Sequence, residues 1–315
     1  MPLYLNEKDV EGLLNMEETI DQVRKGFELQ AENQVKSLAR SRVQSKKGTL
    51  NMLPVSIDAL GLSGLKVYFG NRLNTNFLVV MFSSEDTRPL CIMEAGRLGQ
   101  MRTGAASGVM TDLLARKDAS VLACIGTGYQ AETQIEAASC VRSLDRVIVR
   151  GTSAEKSSGF AKRISEKFGL NTVFSTPTGE LGNFDILVTA TTSKEPVIAD
   201  RQVPADCHIN AIGANRIAAS EIESQTFSSA KTVVVDSIDQ AMIESGDLVK
   251  SIESGAIKKD FVNEAWEVVG GRIKHNPDAT TDRTVFKSLG IGLEDIVTAR
   301  YVYEKALKEG IGREV

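Results

Sequence analysis

Three cations and one glycine-rich turn are the residues of this 315-residue chain whose types and spacing point to chemistry. Arg42, Lys66 and Arg102 all fall in its first third. Lys66 stands inside the apolar run Leu65-Lys66-Val67-Tyr68-Phe69, where an ammonium is costly unless a partner holds its charge. Arg102 lies in a run rich in small residues (Ala95, Gly96, Gly99, Gly104, Ala105, Ala106, Ser107, Gly108). That composition weakens a helix and points to close approach of another backbone or a ligand. Converging cations suit a carboxylate substrate, which an arginine grips with two parallel hydrogen bonds. The plainer alternative for each is a solvent-facing or ion-paired side chain.

The turn is Ile125-Gly126-Thr127-Gly128-Tyr129-Gln130-Ala131, of the form GxGxxA. An apolar strand pattern precedes it and a helical pattern follows, the context a dinucleotide fingerprint requires. Gly126 would allow the tight turn, Gly128 the approach of a pyrophosphate and Ala131 close packing of helix on strand. Amide groups at the helix start favour that anion. The next strand ends Val147-Ile148-Val149-Arg150-Gly151-Thr152-Ser153, without the acid that reads a ribose 2′-hydroxyl. Arg150, with Thr152 and Ser153, would instead cradle a 2′-phosphate. The reading favours NADP(H), with NAD(H) the alternative if Arg150 is only a solvated surface residue.

The elements that must hold these residues fall into two patterns. Asn15 caps a helix containing Ile20, Val23 and Phe27, with Glu18 as its capping-box partner. Strands are expected over 65–69, 77–82 and 89–93, too closely spaced for crossover helices, so their sheet is antiparallel. The small-residue helix spans 94–115. Beyond it, strands at 120–125, 146–149, 185–190, 208–212 and 231–235 accompany helices at 130–141 and 154–168, the alternation of a parallel, doubly wound sheet. A last helix over 293–308 returns to the first part. The fold class is therefore α/β: a Rossmann dinucleotide-binding domain, plus an α+β part with an antiparallel sheet.

Composition narrows the partners. A net charge of −4 argues against a basic nucleic-acid face. Cys91, Cys124, Cys140 and Cys207 lack CxxC spacing and adjoin apolar runs, as reduced core thiols would; with His208 and His275 they offer no zinc-ligand pattern. No signal peptide or membrane span is visible, so a cytoplasmic protein acting on small molecules is expected. Trp266 reads as core. Asp295 reads equally as a helix-start acid or as a neighbour of the nicotinamide contact.

Five segments taken together, GLKVY at 64–68, QMRTGAASG at 100–108, IGTGYQAETQ at 125–134, HINAIGAN at 208–215 and TVFKSLGIGLED at 284–295, resemble the ornithine cyclodeaminase/μ-crystallin family in order and spacing. The resemblance implies a homodimer, with a substrate-binding and dimerisation domain at 1–116 and 290–315 and the Rossmann NAD(P)-binding domain inserted at 117–289. It implies that Arg42, Lys66 and Arg102 bind the substrate carboxylate and that Lys66 donates or accepts a proton. Arg102 and Thr103 would also lie near the coenzyme. Gly126, Gly128, Tyr129 and Gln130 would take the pyrophosphate, Arg150 and Thr152 the ribose, and Thr191, Gly213 and Ser288 would line the remainder. Cyclodeaminases and the archaeal alanine dehydrogenase carry an Asp followed by Gly-Pro-Gly-Lys where this chain has Asn215-Arg216-Ile217-Ala218-Ala219. An Asn amide hydrogen-bonds but is no base at neutral pH. The expectation is a reductase of a cyclic ketimino acid, Δ1-pyrroline-2-carboxylate or Δ1-piperideine-2-carboxylate, with Asn215 orienting substrate or a water. The alternatives are an alanine-type dehydrogenase, an ornithine cyclodeaminase and an NADPH-dependent binding protein.

Overall fold

A computed structural model describes residues 1–71, 73–276 and 281–315. The chain divides into two units, one of residues 1–106 and 290–315, the other of residues 107–289. No described helix is long and apolar enough to cross a membrane.

In the first unit, strand β1 (Leu3–Leu5) leads into helices α1 (Glu7–Leu13) and α2 (Met16–Ala31). Strands β2 (Val35–Ser37), β3 (Ser41–Ser45), β4 (Gly48–Ile57), β5 (Leu62–Gly70), β6 (Thr75–Ser83) and β7 (Pro89–Glu94) follow, then helix α3 (Gly96–Leu114), within which the division falls. β4 to β7 pair antiparallel with their sequence neighbours, as expected from the short connections. Side chains alternate between the faces: Asn51, Leu53, Val55 and Ile57 of β4 are buried, as are Leu62, Gly64 and Lys66 of β5. The helix closing this unit, Gly292–Glu309, packs on that buried face with α2. Asn15 accepts a hydrogen bond from Glu18 N and so caps α2. The Glu18 carboxylate does not close a capping box, however; it takes Tyr301 Oη and Lys305 Nζ instead.

The second unit runs β8 (Val121–Ile125), α4 (Tyr129–Val141), β9 (Arg146–Arg150), α5 (Ala154–Phe168), β10 (Thr172–Ser175), β11 (Ile186–Thr189) and β12 (His208–Ala211). It continues with α6 (Ser224–Ser228), β13 (Thr232–Val235), α7 (Ile238–Glu244), α8 (Gly246–Glu253), β14 (Val262–Glu264), α9 (Ala265–Val269) and β15 (Thr284–Lys287). The helix of the first unit that follows is α10. The sheet order is β10-β9-β8-β11-β12-β15-β13-β14, and every pairing is parallel. Both faces are covered, so successive residues serve opposite cores: Leu122 and Cys124 pack with α4 and α5, Ala123 and Ile125 with the other layer. The chain order reverses between β8 and β11, the switch point at which open α/β sheets receive ligands.

Two readings need correction. Cys140 is exposed, on the outer side of α4, while the other three cysteines are buried; all four are free. Trp266 is half-buried rather than core, with its indole N–H on Glu264 and its ring under Arg272.

Candidate active site

In the first unit, β5 carries Lys66 into the buried face at the rung where α10 begins. The Lys66 side chain extends to Asp295, with Nζ 2.9 Å from Oδ1. Arg102 Nε donates to the same oxygen at 2.9 Å, and Arg102 Nη1 to Glu294 Oε2 at 2.6 Å. Lys66 is 3% exposed and both carboxylates are fully buried. Glu294 and Asp295 belong to the first turn of α10, where the helix dipole favours negative charge. Buried Arg40 donates to Gly290 O, just ahead of that turn. A Cβ at Gly99 of α3 would lie 2.9 Å from Lys66 Nζ, so the small residue there makes room for the ammonium. The Phe77 ring is 5.2 Å from Nζ on the other side.

Burial pulls the Lys66 ammonium down to about 8; Asp295 opposes that, and the charges of Arg102 and Arg40 add to it. A lysine that titrates there can give or take a proton near neutrality. The cluster of Arg40, Lys66 and Arg102 against Glu294 and Asp295 holds one more positive than negative charge, which suits a monoanionic carboxylate.

Arg42, on exposed β3, lies outside this buried cluster. Its Nε donates to Asn51 Oδ1 at 3.2 Å, and register places Asn51 opposite Tyr68 of β5. Arg42, Asn51 and Tyr68 thus form the rung next to Lys66 on the same sheet face. The Tyr68 ring contacts Phe77, its cross-strand partner, at 4.9 Å between centroids. Thr103 is buried, with its hydroxyl on Gly99 O within α3.

In the second unit, the expected coenzyme residues gather at the carboxyl ends of the parallel strands. Gly126 follows β8 with φ of 122°, and a Cβ there would lie 2.3 Å from Ala190 O, so neither the backbone nor the neighbouring strand end admits a side chain. Gly128 is different. It has ordinary extended backbone, and an added Cβ would meet no protein atom within 4 Å. It precedes α4, a 13-residue helix, and as a glycine it offers that helix no side-chain cap. A helix start behind an open glycine fits a pyrophosphate. Tyr129 is exposed and Gln130 half-buried at that helix start.

Arg150 ends β9, yet it is only 6% exposed; its Nη2 donates to Val197 O at 2.8 Å and its Nη1 to Gly179 O at 3.4 Å. The alternative of a solvated Arg150 is therefore corrected. Thr152 is exposed, and the Ser153 hydroxyl caps α5 by accepting Lys156 N. Thr191 follows β11, Gly213 follows β12, and Ser288 follows β15 with its hydroxyl on Asp236. Asn215 is exposed on the loop after β12.

Sequence reasoning overlooked Arg40, Glu294, Glu221, Asp236, Asp247 and Lys287, all buried charged groups behind these residues. It left Asp295 undecided between two roles, neither of them the ion pair observed. The cost of burying Lys66 announced that a partner existed; nothing local said which.

A doubly wound unit with an open glycine turn at its switch point, joined in one chain to a unit with a buried titratable lysine, defines a dinucleotide-fold protein equipped for proton transfer. The model of the ornithine cyclodeaminase/mu-crystallin family matches residues 2–310, and the chain belongs to that family. It is 32% identical to Δ1-pyrroline-2-carboxylate reductase of Bacillus cereus, over 99% of each chain. Among solved structures, it resembles Thermococcus litoralis Δ1-pyrroline-2-carboxylate reductase in complex with NADH and L-proline, with a TM-score of 0.93, 32% identity and coverage of 99% of this chain and 100% of that one. An archaeal alanine dehydrogenase dimer with bound NAD gives a TM-score of 0.92 at 30% identity, covering 100% of this chain and 98% of the other.

Proposed function

We propose that this protein is an NAD(P)H-dependent oxidoreductase acting on a C–N bond, reducing a cyclic ketimino acid such as Δ1-pyrroline-2-carboxylate to the L-imino acid. The observation that carries this reading is Lys66, buried and paired with Asp295 at 2.9 Å inside a cluster with one excess positive charge; burial pulls its ammonium down to about 8. A nicotinamide coenzyme would be held by the 126–130 turn with Arg150, Thr152, Thr191, Gly213 and Ser288, and would supply the hydride that the imine accepts at C2. Lys66 and Arg42 hold the substrate carboxylate on one sheet face. Arg102, bound to the same Asp295 oxygen as Lys66, contributes positive charge and fixes the lysine. Lys66 Nζ gives its proton to the imine nitrogen, so that the C=N bond becomes C–H and N–H. Tyr68 and Phe77 offer a flat apolar surface to a small ring. Asn215 orients substrate or a water without acting as a base.

The expected preference for NADPH rests on Arg150, Thr152 and Ser153. Arg150 serves two carbonyls and Ser153 caps a helix, which leaves a 2′-phosphate little to bind and supports use of NADH. The first unit is the substrate and dimerisation domain, the second the coenzyme domain. On the sheet face opposite α10, Met52, Leu65, Val67, Leu78, Val80 and Ile92 are not fully buried. A contiguous apolar face of this kind fits a second copy of the chain.

The test is to mix the protein with Δ1-pyrroline-2-carboxylate and follow the absorbance of NADH and NADPH in parallel. Rapid substrate-dependent loss supports the reading. A flat trace, with L-alanine-dependent reduction of NAD⁺ or ammonia release from L-ornithine, refutes it. Light scattering at twice the chain mass tests the dimer.

A further inference from the structure

We propose that Glu221 is the positioning residue of the coenzyme site: its buried carboxylate holds the coenzyme-facing strand ends in place and so sets how tightly the dinucleotide binds. This rests on the dinucleotide reading of the second unit.

Glu221 is fully buried, and its charge is met by backbone amides from two loops. Oε1 accepts Thr191 N at 2.7 Å, and Oε2 accepts Gly213 N at 2.6 Å and Ala214 N at 3.0 Å. These amides lie just past the last paired residues of β11 and β12, where the ladder no longer supplies acceptors. A carboxylate is the side chain with enough acceptor sites to satisfy all three. The fit is tight: a Cβ at Gly213 would lie 2.1 Å from Thr191 O and 2.6 Å from Glu221 Oε1.

The backbone of Glu221 extends the same frame. Its N–H donates to Asp247 Oδ1 at 2.6 Å, and Asp247 Oδ2 is 3.2 Å from Lys287 Nζ, with both side chains fully buried. Lys287 immediately precedes Ser288 at the end of β15. On the other flank, Glu221 O accepts Val197 N at 2.8 Å, and Val197 O accepts Arg150 at the end of β9. The ends of β9, β11, β12 and β15 are therefore joined through one residue. Arg150 belongs to this frame, and Thr191, Gly213 and Ser288 present their backbones from it.

The test uses the full-length chain with Glu221→Gln, which keeps size but sets an amide donor against a backbone N–H. The readout is NADH binding by fluorescence titration without substrate, beside kcat at saturating NADH. The dissociation constant is expected to rise about tenfold while kcat stays within about threefold. A folded variant that binds NADH as the wild type does overturns the proposal, as does a fall in kcat with binding unchanged. Should Glu221→Gln fail to fold, Glu221→Asp, which keeps the charge but shortens its reach to the three amides, carries the same expectation and the same refutation. Independently of any variant, the amides of Thr191, Gly213 and Ala214 are expected to exchange slowly with solvent; fast exchange overturns the proposal. Failure of the wild type to bind either NADH or NADPH is a separate outcome and overturns the dinucleotide reading itself.

Discussion

Replacing Asp295 with asparagine removes the negative charge that Lys66 and Arg102 share while leaving an oxygen able to accept a hydrogen bond. Charges 2.9 Å apart attract by about 6 kcal/mol at an effective dielectric of about 20. The remaining hydrogen bond and local rearrangement recover much of that. What is left favours the neutral amine over the ammonium by about 1.4 to 2.7 kcal/mol, or about one to two pH units. In the wild type, where Lys66 titrates at about 8, imine reduction should proceed through neutral pH and fall on the alkaline side as Lys66 loses its proton. In Asp295→Asn that alkaline limb should move down by about one to two pH units, so the rate drops severalfold at pH 7.5 but by no more than about half at pH 6. The assay is a pH profile of kcat under saturating imine and coenzyme, with thermal unfolding to confirm that the variant folds. A folded variant whose alkaline limb stays near 8 would refute the assignment of that limb to Lys66 held by Asp295.

Gly126→Ala and Gly128→Ala should separate fold from binding. The first places a Cβ 2.3 Å from Ala190 O at positive φ and should lower the melting temperature sharply; the second meets no protein atom within 4 Å and should melt like the wild type yet bind NADH at least about tenfold more weakly. Arg150→Ala should destabilise the second unit and weaken NADH and NADPH binding to similar extents, checked by parallel titrations, because the guanidinium holds Val197 O and Gly179 O; a loss confined to NADPH would contradict this. Lys66 also links stability to pH. Its proton affinity is lowered on folding, so unfolding takes up a proton between about pH 8 and 10.5, and the contribution of Lys66 rises with pH across that window by at most about 3 kcal/mol. Denaturant titrations of wild type and Lys66→Met at pH 7.5 and 10 should differ by that rise.

Much of the framework was legible because its signals are local. Ser153 and Gly169 bracket α5, so the span expected over 154–168 is the helix observed. The apolar runs of β8, β9, β11 and β13 are what a parallel sheet buried on both faces requires; β12 is buried as fully although His208 and Asn210 interrupt its apolar pattern. β4 was not identified as a strand. Asn51 and Pro54 interrupt its pattern, although Asn51 faces inward to hold Arg42 and Pro54 lies in register opposite Leu65. The site divides the same way. The glycine turn and Lys66 declare themselves within a few residues, since a tight turn and a lysine in an apolar strand are both local anomalies. Asp295 is 229 residues from Lys66, and in its own surroundings it is an ordinary acid at a helix start. Arg150 shows the converse. Its position at the end of β9 is that of a ribose reader, and only the fold shows Val197 and Gly179 closing over it. Glu221 gives no signal either, because its partners are backbone amides brought together by strand pairing.

The most direct measurement is to follow the hydride. With NADH carrying deuterium on the transferred position of C4 and Δ1-pyrroline-2-carboxylate as substrate, the product should be L-proline labelled at C2, in step with coenzyme oxidation, and Lys66→Met should abolish that transfer while binding NADH like the wild type. Absence of labelled proline from the wild type, or undiminished transfer by Lys66→Met, would contradict a reductase in which Lys66 protonates the imine.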